Sequence, residues 1–389
     1  MESSLAVLAQ DATDETVAML MAQAARLHYF RGELDIASSW VDRALEAGEE
    51  LALPEVLSQA LNTKSLIIRT RGHEEEAQAL LKHALDIAIE NDLPNATGRA
   101  LNNLADTFLV QDRVEEALLH DSRNFELSAR RGDRPGQMTA MIHLVIDYVA
   151  LGRWDEAMSL LTGLPLQPED LWITIIQSAA IPVLVSRGEL EAASARLANL
   201  YALGESTEVQ DQFFRNVMTA QVRQGEGLFE KALAAAETAL NLRDRLGRLP
   251  GVRVAFDLAL EASFDLGRLD HVDELLSVAE SAPPRDRTPS IRASEARFRG
   301  RLAAARGNAA EADHQMSEAI GLLRDVGYRF WMAIVEIEQA EMLLAAGQTE
   351  QAEPLLAEAR DVFEQLGAKP WLERVARSES APLVRTAVS

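Results

Sequence analysis

Gly72-His73-Glu74-Glu75-Glu76-Ala77 is one copy of a phrase that recurs through the whole chain. Gly32-Glu33-Leu34-Asp35-Ile36-Ala37 precedes it, and Asp112-Arg113-Val114-Glu115-Glu116-Ala117 follows. Next come Gly152-Arg153-Trp154-Asp155-Glu156-Ala157, Gly188-Glu189-Leu190-Glu191-Ala192-Ala193 and Gly227-Leu228-Phe229-Glu230-Lys231-Ala232, with later copies opening at Gly267, Gly307 and Gly347. Successive openings lie 40, 40, 40, 36, 39, 40, 40 and 40 residues apart. A fixed period in this range marks a repeat array, in which each unit buries its apolar face only by stacking on its neighbours.

The phrase has a local physical reading. Gly ends one helix because the position after a helix wants a left-handed backbone, which Gly adopts without strain and Asp112 tolerates better than most residues. Five residues on, Ala37, Ala77, Ala117, Ala157, Ala193, Ala232, Val272, Ala312 and Ala352 mark where two helices must approach closely. Seven residues before each opening, Ala25, Ser65, Ala105, Val145, Ile181, Ala220, Leu260, Gly300 and Ala340 are mostly small for the same reason. Pro54, Pro94, Pro135, Pro168, Pro250 and Pro289 mark helix starts, where the missing N–H costs nothing. No stretch alternates like a strand, so each unit is predicted to be a helix-turn-helix pair of about 40 residues.

Composition agrees with this reading. Of 389 residues 48% are hydrophobic and 25% charged, as in an ordered chain, while aromatics are only 5%, which favours close helix packing over a sandwich. Lys plus Arg number 38 against 61 Asp plus Glu, a net charge of −23, which disfavours bulk nucleic-acid binding. With no Cys, disulfides, thiolate nucleophiles and Cys-ligated metals are excluded. The N-terminus lacks a basic segment followed by an apolar one, so a cytoplasmic protein is expected. Leu171 to Val185 carries no charge but contains Pro182 and falls short of the ~20 residues a membrane span needs; a buried helix is expected. Residues 378–389 are expected to form a flexible tail.

A small residue, then Gly-x-[Leu/Trp/Phe]-[Asp/Glu]-x-Ala, then Ala-[Leu/Ile] resembles the tetratricopeptide repeat over roughly Asp14 to Arg377, although the period exceeds the usual ~34 residues. The resemblance implies an all-α, right-handed α-solenoid of about nine pairs, with one array over residues 1–377. The segment Phe363-Glu364-Gln365-Leu366-Gly367-Ala368-Lys369-Pro370-Trp371-Leu372-Glu373-Arg374 is similar to the end of helical arrays in large bacterial regulators, such as maltose-type transcription activators and ATPase-linked nucleotide cyclases. Those place a signalling NTPase ahead of the array. No such motif stands in this sequence, so a separate partner is expected to supply any output.

The sequence shows no constellation that carries catalysis. Gly-x-x-x-x-Gly-Lys-[Ser/Thr], Gly-x-Ser-x-Gly and His-Glu-x-x-His are absent, and the seven His residues form no ligand spacing. A non-enzyme without cofactor or metal is expected. What remains is a binding surface: in tetratricopeptide arrays the first helix of each pair lines the concave face, and residues ten and six before each opening should point into it.

Three zones follow. Asn62 and Asn102 are equivalent in adjacent units, with Asp106 one turn on, and an Asn amide can donate to and accept from a peptide backbone at once. This resembles the Asn ladder of peptide-binding proteins such as kinesin light chains; satisfaction by neighbouring groups is the alternative. Ile142, Ile146, Val149, Ile175, Pro182, Val185, Phe214 and Val217 form a central apolar zone, either a ligand site or ordinary core. Arg297 and Arg301 belong to an Arg-rich zone from Arg285 to Arg306, suited to grip an acidic or phosphorylated partner or else neutralised by Asp257, Glu261, Asp265, Glu338 and Glu341. The leading reading is a scaffold or adaptor that binds a protein or peptide along the concave face in regulation or signalling. The rivals are a sensor for a small effector in the central zone and a homo-oligomer formed through the first helix, with Met19, Leu20, Met21 and Leu27.

Overall fold

The computed structural model describes residues 15–164, 171–202, 209–246 and 251–380, leaving aside the side chains of 171 and 243–246. The first fourteen residues, Pro168, Pro250 and residues 381–389 lie outside the described residues, and so do the expectations placed on them. Every described regular element is a helix. In chain order these are α1 (Glu15–Phe30), α2 (Leu34–Glu50), α3 (Pro54–Thr70), α4 (Glu74–Glu90), α5 (Pro94–Val110), α6 (Val114–Arg131), α7 (Arg134–Ala150) and α8 (Trp154–Leu160). They continue as α9 (Leu171–Ala179), α10 (Ile181–Arg187), α11 (Leu190–Ala202), α12 (Val209–Gly225), α13 (Phe229–Leu246), α14 (Val252–Asp265) and α15 (Leu269–Glu280). After a single 3-10 turn at Pro284–Asp286 come α16 (Pro289–Ala305), α17 (Ala309–Asp325), α18 (Arg329–Ala345), α19 (Thr349–Leu366) and α20 (Lys369–Ser380). The chain is an all-α array of helix pairs, in which first helices pack on their own second helices, as α1 on α2, α3 on α4, α16 on α17 and α18 on α19, and on the next first helix, as α1 on α3, α3 on α5 and α14 on α16.

The nine openings behave as the period predicts. Gly32, Gly72, Gly152, Gly188, Gly227, Gly267, Gly307 and Gly347 all have positive φ, and Asp112 adopts the same conformation at φ 61°. The close-approach positions from Ala37 to Ala352 are all buried. At Gly300 an added Cβ would meet the Ala312 carbonyl oxygen and Met316 Cγ at 3.2 Å, so α16 and α17 touch backbone to side chain there. A second left-handed series was not read from the sequence. Ala52, Asp92, Gly132, Gly327 and Gly367 have φ of 49°, 51°, 68°, 75° and 67° and stand at the joint between one pair and the next.

The fifth pair departs from expectation. Leu171 to Val185 forms two short helices, α9 and α10, separated at Ala180, with Pro182 in the first turn of α10. Pro is accommodated there because first-turn amides have no helical acceptor. In the preceding pair α8 has only 7 residues, against 17 in α2 and α4, and it lies in the interval where the openings stand 36 residues apart. At the other end α20 continues through Ser380, three residues past the expected array boundary.

Two compact units divide the chain. The first holds Met1–Gln111, Glu116–Met141 and Asp244–Leu249, and the second Asp112–Glu115, Ile142–Arg243 and Pro250–Ser389. In the first unit the core runs through Leu81, Leu101, Leu104 and Phe108, all buried; each such side chain contributes about 1.5–3 kcal/mol relative to exposure. In the second unit the end of the chain packs against its own fourth and fifth pairs. Trp154 meets Phe330 at 4.8 Å, edge to face, and Phe330 and Phe363 hold Trp371. Arg187 donates its Nε–H to the Leu366 carbonyl (3.0 Å), and Gly188 leaves just enough room for Pro370. The closing segment read from the sequence thus packs against pairs four and five of its own unit. Asp112, counted in this unit, accepts from Ser290 N (2.8 Å), Ser290 Oγ (2.7 Å) and the Tyr328 hydroxyl (3.2 Å). Three donors explain why Asp stands at this opening rather than Gly.

Candidate functional site

In each unit the first helices lie side by side, and polar side chains bridge from one to the next. In the first unit the bridges join α3 and α5. Arg99 donates Nη1–H to Gln59 Oε1 (2.5 Å) and Nη2–H to Thr63 Oγ1 (2.8 Å). Asn103 Nδ2 donates to Asn62 Oδ1 (2.5 Å), and Arg69 Nη1 donates to Thr107 Oγ1 (3.1 Å). Asn62 is 1% exposed, and Asn103 rather than Asn102 stands across from it. Asn102 is half-buried with its Oδ1 enclosed and without a hydrogen-bond partner among the described residues, and Asp106 is half-buried on the same helix. The acceptors of this ladder are all neutral.

In the second unit the corresponding bridges are ionic. Arg297 on α16 grips Glu338 on α18 with Nε and Nη2 (2.7 and 2.5 Å) and reaches Glu261 on α14 (2.8 Å). Arg301 donates to Glu261 (2.6 Å) and lies over the Phe264 ring at 4.0 Å. Arg374 on α20 grips Glu341 with Nε (2.9 Å) and Nη2 (2.7 Å). Burial alone would raise the Glu338 carboxyl, but Arg297 and Arg301 outweigh it and hold the group at about 2. The same contest, won by the same two arginines, lowers Glu261. Burial opposes the charge of Arg297, yet Glu261 and Glu338 raise it above the ordinary value. Asp257, gripped by Arg253 (2.5 Å), is raised by burial despite that partner.

The Arg-rich zone is therefore internally paired. Beyond Arg297 and Arg301, Arg287 holds Glu295, Arg292 holds Glu318, Arg299 holds Asp273 and Glu280, Arg306 holds Asp273, and Arg285 lies 4.0 Å from Asp286. Of the expected neutralising residues, Glu261 and Glu338 take the Arg zone, while Glu341 turns to Arg374. Of the central apolar residues Val217 is buried, and Ile142, Ile146 and Phe214 are half-buried, none of them standing open to solvent. Leu20, Leu27, Phe30 and Ile36 of the first pair are exposed.

A cleft of about 360 Å³ opens beside the ionic ladder. Its walls are Arg301, Glu338, Glu341 and Arg374, and its apolar lining is Phe264, Ala304, Ala305, Met342 and Ala345, from α14, α16, α18 and α20. Arg301 and Glu341 occupy the sixth position before their openings, as the sequence reading expected of groove residues. Phe264, Met342 and Arg374 were not singled out. The small pair Ala304-Ala305 just before the Gly307 opening was the available signal for a hollow. Among the described residues no group of three or more His, Asp and Glu could hold a metal ion, and no helix is long and apolar enough to cross a membrane.

No family model matches the chain, and no curated protein does. Among solved structures, the apo form of the quorum sensor NprR from B. thuringiensis aligns with 93% of this chain and 92% of its own, at 12% identity and a TM-score of 0.44. A tetratricopeptide repeat protein from Parabacteroides merdae aligns with 78% of this chain and 98% of its own, at 15% identity and 0.39. The human IFIT1 dimer with m7Gppp-AAAA covers 97% of this chain and 85% of its own, at 14% identity and 0.48. At such identities these are likenesses in the course of the helices, between distant sequences.

Proposed function

We propose that the chain is a non-catalytic binding module that takes a protein or peptide segment across the first helices of its last pairs, with the cleft as anchor. The observation that carries this reading is the cleft itself: an apolar floor for one or two side chains, walled by charged groups whose positions are fixed by one another. Arg301 donates one hydrogen bond, to Glu261, with the same Nη1 3.7 Å from Glu338, and Arg374 Nη1 lies 4.0 Å from Glu338, so both guanidinium groups keep other N–H donors for a peptide carbonyl. Walls pre-set by ion pairs lose little rotamer freedom on binding, which favours affinity. A role in regulation or signalling accords with a surface built to hold a segment rather than transform it.

The test is panning of a displayed random-peptide library on the full chain, followed by affinity measurement on Ala304→Trp, which fills the cleft from a partly exposed position. Selected peptides are expected to lose at least tenfold in affinity. Peptides that bind Ala304→Trp as tightly as wild type would remove the cleft from the reading. A small effector is the second reading, because about 360 Å³ falls within the ~300–1,000 Å³ of small-molecule pockets. Thermal shift against a metabolite panel, lost in Ala304→Trp, would favour it.

A further inference from the structure

Glu336 stands on α18 in a setting unlike that of its neighbour Glu338. It is wholly buried, and among the described residues one cation lies within ion-pair distance of it. That cation is Arg324, at the end of α17, whose Nη2 donates to Glu336 Oε1 at 3.2 Å. The same nitrogen donates to both oxygens of Glu358 on α19, each at 3.0 Å. One guanidinium nitrogen thus ties two carboxyl groups from two helices, and the two are close enough to hydrogen-bond to each other.

Two carboxylates against one guanidinium leave a surplus negative charge at a buried place. The second oxygen of Glu336, Oε2, is enclosed and has no hydrogen-bond partner among the described residues. The other helices packed on α18 do not make up the missing charge. From α17 Asp313 also faces α18, where it accepts from Gln339 (2.7 Å), while Arg297 of α16 and Arg374 of α20 are engaged with Glu338 and Glu341. A carboxyl group so placed keeps its proton rather than its charge. Burial is the main cause; the Glu358 charge and the hydrogen bond to Glu358 add to it, and together they outweigh Arg324 and raise Glu336 to about 8. Glu358 and Arg324 are both open to solvent, so the charges rest on them and the proton on the enclosed member.

We propose that Glu336 and Glu358 share one proton, and that this proton is a lock between α18 and α19: with it the two helices are held through Arg324, and without it two carboxylates repel across their interface. The lock does not depend on what the cleft binds. It opens toward alkaline pH, opposite to the ionic ladder, whose Glu338 fails in acid.

An unfolded Glu loses its proton near 4.5 and the folded pair near 8, so the fold holds an extra proton between those values and its stability falls as pH rises through that window. Glu336→Gln has the shape of the protonated acid and cannot ionise, so it escapes that fall. Melting of the full chain at constant ionic strength, followed by circular dichroism, is expected to show Glu336→Gln gaining at least about 4 °C on wild type between pH 5 and pH 8.5. Infrared spectra of wild type are expected to carry a protonated-carboxyl band at pH 7 that fades near pH 8 and is missing from Glu336→Gln. Glu358→Gln, at an exposed position, leaves Glu336 buried but removes the like charge, and should move the fading to lower pH. Hydrogen exchange, corrected for its intrinsic rate, should quicken in α18 and α19 between pH 7 and pH 9 in wild type and not in Glu336→Gln. No such band at pH 7, a melting gap that is the same at pH 5 and pH 8.5, a Glu358→Gln midpoint no lower than that of wild type, or exchange that quickens alike in both proteins would overturn the inference.

Discussion

The ladder between α3 and α5 and the ladder across α14, α16 and α18 occupy like places in the repeat, yet one is built from amides and hydroxyls and the other from buried ion pairs. Arg99 meets Gln59 and Thr63, whereas Arg297 meets Glu338 and Glu261. The ionic ladder is saturated: each charge has its opposite, and Glu338 sits at about 2 because of it. The neutral ladder satisfies hydrogen bonds but not charge. One backbone plan thus carries charge-paired bridges in the second unit and uncharged acceptors in the first.

The widest gap between the two should appear on deleting one arginine. Arg297→Met takes the bidentate partner from buried Glu338 and leaves Glu261 to Arg301 alone, and breaking a buried pair typically costs about 3–5 kcal/mol. Urea denaturation of the full chain should show that loss, and Arg297→Met combined with Glu338→Met should recover most of it. If the single variant costs under about 1 kcal/mol, the ionic ladder is not the structural wall described above.

Acid should separate the units next. The Glu338 carboxyl is depressed from an ordinary value near 4.5 to about 2, so its contribution is fully present above pH 4.5 and is lost as pH falls toward 2. A shift of that size corresponds to about 3 kcal/mol. Hydrogen exchange read by mass spectrometry should therefore show α16 and α18 losing protection between pH 4.5 and 2. The bridges of α3 and α5 contain no carboxylate and should keep theirs to lower pH. Equal loss in both would mean that the titrating groups lie elsewhere.

A smaller effect is expected inside the neutral ladder. Asn103→Leu removes the donor to Asn62 Oδ1, and a buried acceptor left unsatisfied costs about 1–3 kcal/mol. Asn102→Leu deletes an amide whose enclosed Oδ1 has no partner, and should cost less than Asn103→Leu in the same melts. If the two variants behave alike, the Asn62–Asn103 bridge carries no special weight.

These pairings also show where the sequence could be read and where it could not. The helix pairs were legible because Gly and Ala at fixed spacing answer to local demands: a left-handed turn at Gly72 and a close approach at Ala77 need no knowledge of the rest of the chain. The acidic partners of Arg297 and Arg301 were legible for a similar reason, since Glu261 and Glu338 stand one period away on either side. The groove was less so. Asn62 was matched with Asn102 because they are equivalent in the repeat, but adjacent first helices are offset by about one residue, and Asn103 is the one that faces it. Arg99 gave no signal at all, because its meaning lies in what is missing around it, and a missing carboxylate is visible only in three dimensions. The broken helix at Ala180 was marked by Pro182 but absorbed into one apolar run.

The smallest expected effect addresses that missing charge directly. Arg26 is exposed, so replacing it by Gln breaks no buried contact; what it removes is repulsion felt by Arg99. Surface charge interactions are worth about 0.2–1 kcal/mol, so Arg26→Gln should stabilise the first unit by a few tenths of a kcal/mol at low salt. Raising the salt from about 0.01 M to 0.5 M shrinks the screening length severalfold, and should give wild type the same gain without the substitution. In exchange measurements on α3 and α5, the variant and wild type should then converge as salt rises. The ion pairs of the second unit are buried and should respond little. Convergence would establish that Arg26 and Arg99 repel through solvent, whereas a gap that persists at high salt would place the effect of Arg26→Gln in its packing over the Phe30 ring.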